Sequence, residues 1–299
     1  MRRLTAIVLA VVMLSALAAC NSGAGTPDPK ETSGDGSNAE RKVVVGITFD
    51  PQTLNPWETQ TKGREFCLTT VYQTLAPSII NQETGIMTPN MAMITGWEKT
   101  EENTYRVYLR EGIHDTAGYP FTAEDVVFCY ETAKSIGNHS KVKGIDTVTA
   151  IDELTVEFKM GKAMAVGGFE DLLTEIYMVT KESYEACGGD MATKPVGTTG
   201  YVIDEYVAGS HITFKKADVE YWNQAANDSK SLEDGYVYLY DTNNVDVVQY
   251  DFITDTAMMA IALETGQIDM SISVSSKDLA LFEEGGQHGD DFNVFKFPD

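Results

Sequence analysis

The run Val43-Val44-Val45-Gly46-Ile47 constrains the fold more than any other stretch of the chain. An uninterrupted apolar run of this length makes a stable strand when both of its faces are covered, the condition met in parallel sheets flanked by helices. The rest of the chain alternates in kind. Thr104 to Arg110 alternates, with Tyr105, Val107 and Leu109 on one face, and Val148 to Phe158 reads as a hairpin turning at Asp152-Glu153 with Leu154, Val156 and Phe158 inward. Between them Thr122-Ala123-Glu124-Asp125 opens a helix: Thr122 caps it, its first turn is acidic, and Val126, Val127, Tyr130 and Ala133 form its apolar face. A second helix is predicted over about Thr256 to Thr265, between Asp255 and Gly266, and Ile268, Met270, Ile272 and Val274 then alternate as a strand. Strands and helices in this mixed order indicate an α/β protein.

The 299 residues carry 45 acidic and 22 basic side chains, a formal charge of -23. Nucleic acid is excluded as a partner, because binding a phosphate backbone depends on lysine and arginine displacing counterions. An anionic lipid surface repels the same charge, so membrane association requires an anchor. The N-terminus supplies one. Arg2 and Arg3 precede Leu4 to Ala19, an uncharged apolar stretch shorter than the roughly 20 residues that span a bilayer, which reads as a secretory signal. Leu17-Ala18-Ala19-Cys20 resembles the lipobox of bacterial lipoproteins, which implies removal of residues 1–19 and acylation of Cys20. Residues 20–42, rich in Gly, Ser, Thr and Pro, then form a flexible tether.

Local signatures of catalysis are missing. There is no G-x-x-x-x-G-K-[ST] loop, no H-E-x-x-H and no G-x-S-x-G, so an enzyme is not indicated, and no cofactor or metal is expected. His114, His139, His211 and His288 are scattered and read as solvated or hydrogen-bonded side chains. Cys67, Cys129 and Cys187 remain after Cys20; a Cys67–Cys129 disulfide and buried free thiols are both compatible with the sequence, the thiols being favoured. The acidic pairs Glu101-Glu102, Glu283-Glu284 and Asp290-Asp291 read as solvated faces.

A set of short motifs carries a resemblance. Leu54-Asn55-Pro56-Trp57 is followed by Val71-Tyr72-Gln73-Thr74-Leu75, Trp97, Thr104 to Ile113 and Pro120-Phe121-Thr122-Ala123-Glu124-Asp125-Val126. Pro195-Val196-Gly197-Thr198-Thr199-Gly200-Tyr201, Tyr221-Trp222 and Leu263 to Asp269 come later. In this order they resemble the family 5 extracellular solute-binding proteins, the oligopeptide, dipeptide and nickel receptors of ABC importers. The resemblance implies a periplasmic-binding-protein-like (type II) α/β fold: lobe one from residues 43–57 and 171–275, an inserted subdomain from 58–170, and the start of a largely absent second lobe at 276–299. The family's G-T-G-P-Y turn appears here as Gly197-Thr198-Thr199-Gly200-Tyr201, so the proline that fixes φ is missing and the backbone of this turn is expected to differ.

The same resemblance implies function. Two lobes of such a receptor close on a ligand about a hinge, and the importer's permease with its ATPase recognises the closed form. The wall of the first lobe includes the loop after the first strand, which here corresponds to Phe49, Asp50, Asn55, Trp57 and Thr59, and the segment around His139 is expected to face the cleft. Trp57 reads equally as a stacking platform or as loop packing, and Asp50 as a cation-attracting group or, preferably, a turn stabiliser; Tyr221-Trp222 reads as packing, Gly197 and Gly200 as turn glycines. Peptides are the leading ligand class, nickel complexes and oligosaccharides follow, and a surface lipoprotein enzyme is the rival of another kind. The expected protein is a lipid-anchored monomer on the extracellular or periplasmic face of a cell membrane.

Overall fold

A computed structural model describes residues 40–58, 64–81, 87–89, 91–223, 236–237 and 245–295. Residues 1–39, with the leader and Cys20, lie outside the described residues, as does Thr59. Among those described, no helix is long and apolar enough to cross a membrane.

The apolar run becomes β1 (Lys42–Ile47), and it is covered on both faces as its composition requires. It pairs in parallel with β11 (Val247–Phe252) on one side and with β12 (Met270–Ser271) on the other. An antiparallel hairpin of β8 (Tyr201–Val207) and β9 (His211–Lys216) completes a five-stranded sheet in the order β12-β1-β11-β9-β8. Val45 and Ile47 point into the main core. Val44 packs on the opposite side, against a smaller cluster built on Met259, Leu263, Ile268 and Phe282. Helix α5 (Thr256–Glu264) supplies that second cover and approaches so closely that a Cβ on Gly46 would lie 2.3 Å from Met259 Sδ. Its N-cap is Asp255, whose carboxylate accepts the amides of Ala257 and Met258 at 2.8 and 3.1 Å.

The strand expected over Ile268 to Val274 is reduced to two residues. Met270 and Ile272 are 48% and 41% exposed, whereas Ile268 is buried. Ile268 turns its amide back to Ala262 O at 3.2 Å, and Asp269 opens the pairing with β1 through both main chain and side chain, its amide donating to Val44 O at 2.8 Å and its carboxylate accepting the Val44 amide at 2.7 Å. Ser275 caps the short helix α6 (Ser276–Leu279) directly afterwards, ending the extended segment. The alternation in the sequence therefore marks an edge with one buried residue, not a buried strand.

A second, four-stranded antiparallel sheet has the order β4-β5-β7-β6, from β4 (Ile94–Glu101), β5 (Thr104–Leu109), β6 (Ile145–Asp152) and β7 (Thr155–Met160). The predicted hairpin at Asp152-Glu153 and the inward set Tyr105, Val107 and Leu109 are both present. Helix α2 (Ala123–Ile136) lies against this sheet through Val126, Cys129, Tyr130 and Ala133. Its start is a capping box in which Asp125 accepts the Thr122 amide at 2.7 Å, and Gly137, at φ 79°, ends it. Short helices α3 (Gly168–Leu173) and α4 (Lys181–Ala186) fill the space beyond; Phe169 of α3 stacks on Tyr105 with centroids 4.1 Å apart. Burying each such aromatic side chain contributes about 1.5–3 kcal/mol. A small three-stranded sheet, β10-β2-β3, is made of β2 (Ser78–Asn81), β3 (Met87–Pro89) and β10 (Tyr236–Val237). One continuous apolar core joins the two larger sheets, running from Ile47 and Phe214 through Val71 and Tyr72 of α1 (Arg64–Val71) and its exit to Phe158 and Phe169.

Cys67 and Cys129 are buried free thiols, as the favoured reading held, and Cys187 is half-buried. Gly200, at φ 84°, is a turn glycine. Gly197 is not: its backbone abuts Val71, and a Cβ there would lie 2.0 Å from the Val71 carbonyl oxygen. Gly200 occupies the family's proline position, and its φ of 84° is one that proline cannot adopt, so this turn departs from the family's; the Thr199 hydroxyl fastens it, donating to Thr70 O at 2.5 Å and Val71 O at 3.1 Å. Tyr221 and Trp222 pack here too, Tyr221 Oη accepting from Gln73 Nε2 at 3.1 Å and Trp222 Nε1 donating to Thr198 O at 2.8 Å.

Candidate functional site

In open α/β sheets, ligands lie outside the carboxyl ends of the parallel strands. Here that edge is formed by the ends of β1, β11 and β12, and the loop Thr48 to Glu58 leaves it directly after β1. This loop holds most of the residues singled out in the sequence.

Asp50 is its anchor. One carboxylate oxygen accepts the Gln52 amide at 2.8 Å and the hydroxyl of Tyr206, and the other accepts the Gly209 amide at 2.7 Å. Burial alone would raise the Asp50 pKa, but the three donors outweigh it and hold the group below the ordinary carboxylate range. Burial and the neighbouring carboxylate push the Tyr206 phenol up in turn. The loop after β1 is thereby fixed to the turn between β8 and β9.

Further along, buried Arg64 donates through Nε to Pro51 O at 3.0 Å, Tyr72 Oη donates to Leu54 O at 3.0 Å, and the Leu54 amide donates to Ala192 O at 3.0 Å. Asn55 closes a local turn by accepting the Trp57 amide at 3.1 Å. Trp57 is 1% exposed: Nε1 donates to Tyr177 O at 3.1 Å, and the ring meets Tyr184 and Phe128 with centroids 5.5 and 5.8 Å away. Phe49 is half-buried against the main core. Phe49, Asp50, Asn55 and Trp57 thus lie along one anchored loop, with the Trp57 ring packed into the core rather than offered as a stacking platform.

His139 sits elsewhere, just past the end of α2, between exposed Asn138 and Ser140. It is 5% exposed, with Nδ1 3.4 Å from Glu175 Oε1. Lys141 bridges Glu175 at 3.1 Å and Asp171 at 2.8 Å. The bond from His139, against the effect of burial and with help from Lys141, holds Glu175 below the usual carboxylate range. Among the described residues, no group of three His, Cys, Asp or Glu side chains is placed to hold a metal ion.

The residue that sequence reasoning missed is Gln52. It is exposed, with φ 60°, and is the one non-glycine residue with positive φ among those described. Nothing in Asp50-Pro51-Gln52-Thr53 signals this, because left-handed positions are ordinarily marked by glycine or asparagine.

The fold recurs in solved proteins. The structure is similar to NikZ from Campylobacter jejuni, determined in complex with Ni(L-His), with TM-score 0.64 and 18% identity over 81% of this chain and 45% of that one. It is equally similar to OppA of Burkholderia pseudomallei, with TM-score 0.64, 19% identity and coverage of 83% and 49%. Among curated proteins it is 23% identical over 252 residues to the glutathione-binding protein GsiB of Escherichia coli O6:K15:H31 (strain 536 / UPEC), covering 82% of this chain and 45% of the relative. The chain therefore spans about half the length of the relatives it matches. A family model described as bacterial extracellular solute-binding proteins, family 5 Middle, matches residues 88–294. With most of its described residues inside that match, the chain belongs to family 5 of the bacterial extracellular solute-binding proteins.

Proposed function

We propose that the protein captures peptides outside the cytoplasm and delivers them to an ABC permease with its ATPase. The loop Thr48 to Glu58 carries this reading: it stands at the carboxyl edge of the parallel strands and is held by Asp50, Arg64 and Tyr72, a preorganised wall of the kind a ligand clamp needs. The glutathione-binding relative supports a peptide ligand, glutathione being itself a tripeptide. Capture needs no covalent step, so the protein is a receptor and not an enzyme.

Residues 43–57 and 171–275 make lobe one on this reading, 58–170 an inserted subdomain, and 276–299 leads towards a second lobe. On this reading Phe49, Asp50, Asn55 and Thr59 belong to the first wall; Trp57, 1% exposed, supports the loop from inside the core, and His139, 5% exposed, is buried against Glu175 rather than presented to a ligand. Cys20 carries lipid, and the monomer works at the outer face of the cell membrane; the tether ends before Arg41, since the Arg41 amide donates to the Asp246 carboxylate at 2.8 Å and Lys42 already belongs to β1.

The test is a titration of this chain followed by saturation-transfer NMR, which reads weak complexes. A single wall encloses little of a ligand, whereas complete small-molecule sites bury some 70–90% of it. The probes are a mixed tripeptide library, glutathione, nickel-histidine and an oligosaccharide. Saturation of the tripeptides supports the reading; saturation of nickel-histidine or the oligosaccharide alone overturns it.

A further inference from the structure

The segment Asp50-Pro51-Gln52-Thr53 passes through a left-handed conformation at a residue that is neither glycine nor asparagine. With φ 60° at Gln52, the Thr53 amide donates to the Pro51 carbonyl at 2.7 Å, the bond of a γ-turn in its rare and strained form. Such a conformation persists only where the surroundings over-determine it, and strained positions of this type cluster at ligand clamps.

Here the surroundings do over-determine it. The Asp50 carboxylate takes the Gln52 amide from one side, and Arg64 takes the Pro51 carbonyl from the other. Leu54, immediately beyond, is fixed at both its amide and its carbonyl. Glycine would adopt the same turn without strain. Burial does not explain the long side chain, because Gln52 is exposed. Its place does distinguish it: it follows β1 at the carboxyl edge of the sheet, and its amide shares the Asp50 carboxylate with Gly209 of the β8–β9 turn.

We propose that Gln52 is a ligand-contact residue. Its carboxamide, with one acceptor and two donors, hydrogen-bonds the main chain of an extended peptide lying across the carboxyl ends of β1 and β11. Because a main-chain amide is common to every peptide, this contact favours peptides as a class without selecting among side chains. The inference rests on the peptide-capture reading above.

The experiment compares the full chain with its Gln52→Gly and Gln52→Asn variants, measuring thermal unfolding and saturation-transfer titration with the mixed tripeptide library. Gln52→Gly relieves the turn, so its Tm rises, while its affinity falls by about three- to tenfold, the worth of one neutral hydrogen bond, and by a similar factor across the library. Gln52→Asn, which keeps the carboxamide and tolerates the left-handed region, retains more of the affinity than Gln52→Gly. A Gln52→Gly variant with raised Tm and undiminished affinity overturns the proposal, leaving a turn with no part in binding. Absence of peptide binding by the parent chain and both variants overturns the peptide-capture reading itself, and this assignment with it.

Discussion

Gly197 lies so close to the end of α1 that a methyl group on it would come within 2.0 Å of the Val71 carbonyl oxygen and 3.0 Å of the Tyr72 ring. The obstacle is backbone, which cannot swing aside as a flexible side chain can. The Gly197 carbonyl also accepts the Thr116 amide at 3.0 Å, and the adjoining Thr198 hydroxyl donates to Gln73 Oε1 at 2.8 Å, so the segment is held in place from several directions. Gly197→Ala is therefore expected to cost roughly 3 kcal/mol, the upper part of the range for overpacking. Urea unfolding followed by fluorescence checks this; a loss below the scatter of surface substitutions would show that the contact gives way easily.

Trp57 should behave as a core residue in stability measurements. Its ring is enclosed by Tyr184 and Phe128, and its indole N–H satisfies the carbonyl of Tyr177. Trp57→Ala is expected to cost about 3–5 kcal/mol. Trp57→Phe keeps most of the ring packing and removes chiefly the hydrogen bond to the Tyr177 carbonyl, for about 0.5–1.5 kcal/mol. Equal losses for the two variants would contradict this division.

The elements most legible in the sequence were those whose signals are local. Asp255 and Gly266 bracket α5, Thr122 and Asp125 open α2, and Asp152-Glu153 turns the hairpin, each through contacts a few residues apart. Trp57 left two readings open because the rings that enclose it come from α2 and α4, far along the chain. Ile268 to Val274 was misread for a related reason: period-two alternation records which residues are apolar, and β12, at the edge of its sheet, leaves Met270 and Ile272 exposed. Within the loop after β1, Asp50 was recognised, but its partners Tyr206 and Gly209 come from a distant hairpin, and the left-handed turn at Gln52 has no sequence marker at all.

The three described cysteines should separate cleanly by reactivity. Burial pushes the thiols of Cys67 and Cys129 up, and Cys129 both donates to Val179 O and accepts the Val179 amide. Thiolate is the reactive form, so neither should react with an aromatic disulfide reagent in the native state. Cys187, half-buried, should react first. The comparison is native against denatured protein, with Cys187→Ala removing the fast phase among these three; rapid native reaction at Cys67 or Cys129 would show that the core opens there.

Cys20 is expected to determine where the protein resides. Replacing it with Ala removes the thiol that a lipid would modify, and an acidic chain has little other affinity for an anionic bilayer. In a bacterial host, Cys20→Ala should move the protein from the membrane fraction to the soluble one or leave its leader uncleaved. Fractionation with mass spectrometry of the N-terminus reads both, and unchanged retention and processing would sink the prediction.

The Asp50 hub should leave a signature in the acid limb of the stability curve. Its folded-state pKa lies below the ordinary value because Tyr206, Gly209 and Gln52 all donate to the ionised form and outweigh burial. A carboxylate lowered on folding stabilises the native state fully above its unfolded pKa of 3.8, and that contribution is lost as pH falls through the folded value. Asp50→Asn keeps much of the shape but removes the charge and one acceptor. It should cost about 1.5–3 kcal/mol at neutral pH, as befits hydrogen bonds to a charged group, and its deficit should shrink as pH drops below about 4. Tyr206→Phe removes one of the three donors and should cost less than Asp50→Asn, while raising the carboxyl pKa of Asp50 as read by NMR. A stability gap between parent and Asp50→Asn that stays constant from neutral pH to pH 3 would mean that the carboxylate is not what fastens the loop after β1 to the β8–β9 turn.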